Sequence, residues 1–299
     1  MRTLIEASLA PTTRTAYARI HQQLALFLRR PHNVPLFPVS VSELADFLGS
    51  RFEAGCTATT LSTAASAIAH GHRDVGLPDP TSAFQIKQLL AGARRLRTSI
   101  DQRLALSMQD VMNICGVIHS LPISPVDRAA FCALIPLAFF AMLRPGELVV
   151  SATDAHTVRV QHVSIAGDAL TIVIPSSKTP ANEFTVHMVA RPDISVCPVS
   201  AIREYSKVRG PGRSNDVFFI DGRRRPITYD LTVILRQAGR IVGLDAARLS
   251  GHCLRISGAS HGAEVGLTEL QIQELGRWSS SAVRRYLRRP VSLLQCAGR

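Results

Sequence analysis

The sequence predicts a mainly α-helical protein with one small antiparallel β-sheet, arranged as a helical first third followed by an α+β remainder. Three observations predict it. Apolar residues recur at helical spacing through residues 1–98, the period turns strand-like between Val158 and Val189, and helical patterns resume from Pro198. At 299 residues the chain has room for two cores and is long for one. The stretch from Arg97 to Ala105 is polar, lacks periodicity and reads as a linker, so domains are expected over 1–98 and 107–299 with the connection at 99–106.

Four helices are expected in the first domain. Thr12 and Thr13 can cap one that carries Tyr17, Ile20, Leu24, Phe27 and Leu28 and ends before Pro31. Ser40 and Glu43 have capping-box spacing ahead of Leu44, Phe47, Leu48 and Phe52, with Gly55 at the close. A third helix runs from about Thr57 to Val75. Pro80-Thr81-Ser82 opens a fourth, whose tail is Arg94-Arg95-Leu96-Arg97.

In the second domain, helical patterns span Ser107–His119 and Pro125–Leu143. The apolar run Phe131–Leu143 holds Pro136 and is too short to cross a bilayer, so it reads as a buried core helix and no membrane association is expected. Val158-Arg159-Val160, Ala169–Ile174 and Glu183–Val189 read as three strands, with Lys178 in the hairpin turn Ser176-Ser177-Lys178-Thr179-Pro180. Arg223-Arg224-Arg225-Pro226 forms a basic loop before a helix from about Thr228 to Val242. Internal repeats and low-complexity segments are not evident.

Thirty-four basic against twenty-two acidic residues give a net charge of +12, which favours a polyanionic partner. Residues 1–98 carry eleven basic and six acidic side chains, so both halves are cationic. Only Lys87, Lys178 and Lys207 are lysines. Arginine grips phosphate through two parallel N–H groups, although a coding bias towards arginine would give the same ratio. Candidate DNA-contacting residues are Arg94, Arg95, Arg97, Arg223, Arg224, Arg225, Arg284 and Arg285. The cysteines (Cys56, Cys115, Cys132, Cys197, Cys253, Cys296) form no CxxC pair, and no export signal is visible. An intracellular protein without structural zinc is expected.

The chemistry concentrates near the end of the chain. His252 and Arg255, three residues apart, share a helix face and can aim at one anion. Gly276-Arg277-Trp278 holds the sole tryptophan, a core anchor on one reading and an N–H donor to a phosphate oxygen on the other. Tyr286 follows among arginines and is the only tyrosine after Tyr229. Arg144 stands at the mouth of the apolar helix, with Glu147 placed to orient it or a neighbour. Two guanidiniums, an imidazole, an indole and a phenol suit breakage of a DNA strand through a covalent phosphotyrosine. Each motif alone has a plainer reading, as a surface ion pair, a satisfied histidine or a tyrosine packed on DNA.

Leu143-Arg144-Pro145-Gly146-Glu147-Leu148, Lys178, His252-x-Leu254-Arg255, Leu275-Gly276-Arg277-Trp278 and Tyr286 together resemble the tyrosine recombinase/integrase family, over nearly the whole chain. The resemblance implies a helical core-binding (SAM-like) domain and an α+β catalytic domain. It implies catalytic roles for Arg144, Lys178, His252, Arg255, Trp278 and Tyr286 without metal, ATP or other cofactor. It also implies double-stranded DNA gripped by both domains, and a homotetramer on two sites assembled through the tail bearing Val291, Leu293 and Leu294. The compartment would be a eukaryotic nucleus or a bacterial cytoplasm and nucleoid. Two departures stand out: tryptophan replaces the commoner histidine at Trp278, and eight residues rather than nine separate it from Tyr286. The alternatives are a DNA-binding descendant that cannot cut, and a nicking–closing enzyme resembling type IB topoisomerases.

Overall fold

Hydroxyl caps and prolines set the helix starts in the computed structural model of the chain. It describes residues 8–97, 101–150, 156–175, 183–191, 193–228, 230–278, 283–284 and 286–287. The chain divides into two compact units, Met1–Asp101 and Gln102–Arg299.

The described part of the first unit contains α1 (Pro11–Phe27), α2 (Val41–Glu53), α3 (Ala58–Asp74) and α4 (Phe84–Leu96). Pro11 sits in the first turn of α1, where a missing N–H costs nothing. At α2 the Ser40 hydroxyl accepts the Glu43 amide at 3.2 Å and Glu43 accepts the Ser40 amide at 2.8 Å. That backbone hydrogen bond, ahead of the nearby Arg30, holds the Glu43 carboxyl below its ordinary range. Thr57 caps α3. Pro80–Ser82 makes a short 3₁₀ turn, so the fourth helix begins at Phe84 and not at the proline. Leu24, Leu44, Leu48, Leu61, Ile68 and Ile86 close the core between the helices. His72 is buried among them as one tautomer. Its Nε2 accepts the Val39 amide at 3.0 Å, so the proton is on Nδ1, which donates to the Ile68 carbonyl at 2.9 Å.

The second unit takes in residues 102–106 of the expected connection. The Leu104 amide donates to the Arg248 carbonyl at 3.2 Å, the Leu106 amide donates to Ser257 Oγ at 2.6 Å, and Leu106 is buried. Two leucines anchoring a non-helical backbone leave no 3.6-residue pattern to read.

Next come α5 (Met108–Ser120), α6 (Pro125–Phe140) and the single turn α7 (Pro145–Leu148). From Ala130 to Phe139 every residue of α6 but Cys132 is buried. The helix stops short of Leu143 because Met142 takes a left-handed conformation, φ 48°. Strands β1 (Val163–Ala166), β2 (Ala169–Ile174) and β3 (Phe184–Val189) pair antiparallel in that order, with Ile172 opposite both Val163 and Val186. Leu170, Ile172 and Ile174 turn one face to the core.

The first strand therefore differs from the expected Val158-Arg159-Val160. Arg159 makes one isolated bridge to Val217, and Val160–His162 is a 3₁₀ turn. Val158 is fully buried and lies outside the sheet. Lys178 lies in the 176–182 connection from β2 to β3, outside the described residues.

The remaining helices are α8 (Pro198–Arg209), α9 (Asp230–Ile241), α10 (Gly251–Glu264) and α11 (Glu269–Gly276). The α10 helix is buried without a break from Cys253 to Ser260. Gly258 permits its close approach to α6, since a Cβ there would stand 2.0 Å from the Phe139 carbonyl oxygen. Among the described residues no helix is long and apolar enough to cross a membrane.

Candidate active site

Arg255 is 1% exposed, so its guanidinium has to find its acceptors inside the protein. Nη1 donates to the Met142 carbonyl, which the left-handed turn after α6 presents, and Nη2 donates to the Gly276 carbonyl at the end of α11. Nε has no acceptor among the described residues. The guanidinium carbon lies 4.2 Å from the Trp278 ring centroid and 6.0 Å from that of Tyr286.

Tyr286 meets the helix that carries Arg255. Its Oη is 3.3 Å from His252 Nε2, and the two rings are 5.7 Å apart at a 47° tilt. Ser260 Oγ donates to the Tyr286 main-chain carbonyl at 3.0 Å, which ties the segment to α10. The Trp278 ring lies 4.9 Å from the tyrosine ring. Trp278 also packs with Met142, Ala259, Ile272 and Val283 in a small core of its own. Its ring folds over Gly276, where a Cβ would stand 1.6 Å away. The indole therefore anchors the core, whatever its N–H does with substrate.

Arg144 caps α7, and Glu147 three residues on reaches back to it. One carboxylate oxygen accepts the Arg144 amide at 2.7 Å and the other accepts Arg144 Nη1 at 3.0 Å. Arg277 Nη2 donates to Glu147 Oε2 at 2.6 Å, so one buried carboxylate serves two guanidiniums. Arg277 was legible only as part of the tryptophan tripeptide. Its partner lies 130 positions away, so no local spacing signals the pairing.

Glu147 thus pairs with two guanidiniums, while Arg255 is bonded to carbonyls and feels the charges of all three groups. Burial, then the charges of Arg144 and Arg277, push Arg255 down to about 9 against the opposing pull of Glu147 and Tyr286. Burial also lowers Arg277; Glu147 opposes this and Arg144 adds to it. An oxyanion bound here would relieve both shifts. The arrangement can hold a phosphate, pass a phenolic proton to an imidazole and present the phenol oxygen as nucleophile. No group of His, Cys, Asp and Glu among the described residues could hold a metal ion.

The other expected contacts are more varied. Arg94 and Arg95 are exposed on the last turn of α4. The Arg97 guanidinium donates to the Phe52 carbonyl and stacks 4.0 Å from the Phe52 ring centroid, closing the end of α2. Arg223 is exposed, whereas Arg224 donates to the carbonyls of Arg209 (3.0 Å) and Pro211 (3.3 Å). Arg225 pairs with Asp221 at 2.7 Å and Arg284 with Glu269 at 2.8 Å. Arg285 and the tail from residue 288, with Val291, Leu293 and Leu294, lie outside the described residues.

Neither a protein-family model nor a curated protein sequence matches the chain. Solved structures do. A lambda integrase dimer bound to a COC′ core site superposes with a TM-score of 0.62 at 17% identity, covering 96% of this chain and 74% of that one. The fold is that of the tyrosine recombinases. XerH recombinase bound to its difH substrate gives 0.59 at 17% identity over 93% of this chain and 76% of that one. The Tn1549 transposon integrase in complex with transposon right-end DNA gives 0.63 at 13% identity over 94% and 89%. At such identities the likeness is one of fold, and the recombinase fold accounts for the mainly helical chain with its three-stranded antiparallel sheet.

Proposed function

We propose that the chain is a site-specific DNA recombinase that cuts and rejoins strands through a 3′-phosphotyrosine. The observation that carries this is the Tyr286 Oη–His252 Nε2 contact of 3.3 Å, beside the buried Arg255. Tyr286 attacks the scissile phosphorus and expels the 5′-oxygen, while His252 takes the phenolic proton. Arg144 and Arg255 hold the charge that builds on the non-bridging oxygens. Trp278 backs the tyrosine, with its indole N–H as a further donor, and Lys178 from the β2–β3 connection protonates the leaving 5′-oxygen. The phosphotyrosine conserves the energy of the broken bond, so a 5′-hydroxyl from a second duplex reverses the attack and completes the exchange.

The partner in this reading is double-stranded DNA, gripped by both cationic units, with four chains assembled on two sites. Several structural neighbours of the same fold are DNA complexes, one of them a lambda integrase tetramer bound to a Holliday junction. The test uses duplexes selected from a random library for binding to the full chain. Two labelled duplexes of that sequence should exchange strands with no nucleotide added. Relaxation of supercoils without exchange would make the protein a nicking–closing enzyme, and binding without cleavage would leave only a DNA-binding protein.

A further inference from the structure

The proposed chemistry leaves Arg277 without a task, yet its placement is costly. It is a non-glycine residue at φ 57°. Its side chain is 13% exposed, and neither Nε nor Nη1 has an acceptor among the described residues. An apolar side chain would fill such a position at lower cost. The return is in what Nη2 does.

Arg144 is tied by one partner. Its side chain is 46% exposed, and among the described residues its guanidinium pairs with Glu147 alone. A carboxylate held only by that pair could swing about its own side-chain bonds and take the guanidinium with it. Glu147 does not have that freedom. Its Oε2 receives both the Arg144 amide at 2.7 Å and Arg277 Nη2 at 2.6 Å, which leaves Oε1 aimed at Arg144 Nη1. On its other side the Arg277 guanidinium lies 5.1 Å from the ring centroid of Phe184, the first residue of β3. Arg277 is thus braced between the sheet and the carboxylate.

We propose that Arg277 is a positioning residue, which fixes Glu147 and through it the aim of the Arg144 guanidinium at the scissile phosphate. The bridge is geometric; its consequence for the reaction rests on the recombinase reading above. In this role the loss of Arg277 acts on the rate through Arg144.

Two measurements on the full chain test this. The first is thermal unfolding of Arg277→Ala, Glu147→Gln and the double variant, which reads the bridge whether or not the protein cleaves DNA. The double variant should be no less stable than the weaker single one; additive losses in Tm would overturn the bridge. The second is single-turnover cleavage of a nicked DNA substrate at saturating protein. Arg277→Ala should slow adduct formation by roughly 100-fold, the scale of a misplaced catalytic group, with DNA affinity little changed. Arg277→Lys or added guanidinium ion should restore much of the rate. In an Arg144→Lys background, Arg277→Ala should cost little more, since the group it aims is already altered. A full-rate Arg277→Ala protein, or a penalty undiminished in that background, would overturn the positioning role. A wild-type protein that never cleaves would sink the recombinase reading, while the unfolding cycle would still decide the bridge.

Discussion

Tyr286 Oη stands 3.3 Å from His252 Nε2, a contact between a residue on α10 and one thirty-four positions later. Neither segment alone specifies it. It depends on Ser260 holding the Tyr286 carbonyl and on Trp278 packing beside the ring. Replacing His252 with alanine removes the proposed proton acceptor and leaves the proposed phosphate donors in place. Adduct formation should fall by about 10²- to 10⁴-fold, with DNA affinity unchanged, as checked by single-turnover kinetics beside a binding titration. Equal losses in both would assign His252 to binding.

Arg144→Ala should lower the cleavage rate by roughly 100-fold or more, because its contacts strengthen as charge develops on the phosphate. Affinity for uncleaved DNA should change far less. A mutant that binds poorly but cuts at the normal rate once saturated would reassign Arg144 to ground-state binding.

The overloaded charge of the site predicts a response to anions. Arg255 is held at about 9, below its ordinary value, so the unfolded chain binds that proton more tightly. This group alone makes the fold gain stability as pH rises through about 9 and above. Near neutral pH, where Arg255 stays charged, an oxyanion in the site offsets the cost of its burial. Added inorganic phosphate should raise the Tm of the wild type more than that of Arg144→Ala. Equal shifts would mean that phosphate acts elsewhere.

Much of this was legible in the sequence, and the losses have physical causes. The capping box at Ser40 and the three-residue step from His252 to Arg255 are local, so spacing alone reveals them. Arg277 pairs with Glu147 across 130 positions, and no local period encodes that. Val158 and Val160 looked like a strand because burial and sheet pairing favour the same β-branched residues. Nothing in the sequence shows that the Arg97 and Arg224 guanidiniums also donate to backbone carbonyls, because those partners lie 45 and 15 positions away.

Gly258→Ala should be severe for a methyl group. Its Cβ would need to displace the Phe139 carbonyl from 2.0 Å, forcing α6 and α10 apart. The expected destabilisation is about 1–3 kcal/mol, read as a lower Tm, and cleavage should fall further because His252 and Arg255 ride on α10. An unchanged Tm would show that the two helices can separate freely.

Lys178→Ala should bind DNA normally and fail to cut it. A substrate with a 5′-bridging phosphorothiolate has a leaving group that needs no proton, and it should restore cleavage. Failure of that rescue in a folded protein would make the lysine structural.

Residues 1–98 and the remainder both carry net positive charge, so DNA affinity should fall steeply between low and physiological salt as counterions are released. An affinity indifferent to salt would argue against a grip on the phosphate backbone.

The covalent step is tested most directly by trapping it. The full chain is incubated with a nicked duplex of its selected sequence, so that the cut end diffuses away, and the denatured product is digested and sequenced by mass spectrometry. A DNA–protein adduct on Tyr286 is expected, together with a Tyr286→Phe protein that binds the same DNA and forms none. An adduct on another residue, an adduct with Tyr286→Phe, or tight binding by the wild type with no adduct would contradict the assignment of Tyr286 as the nucleophile.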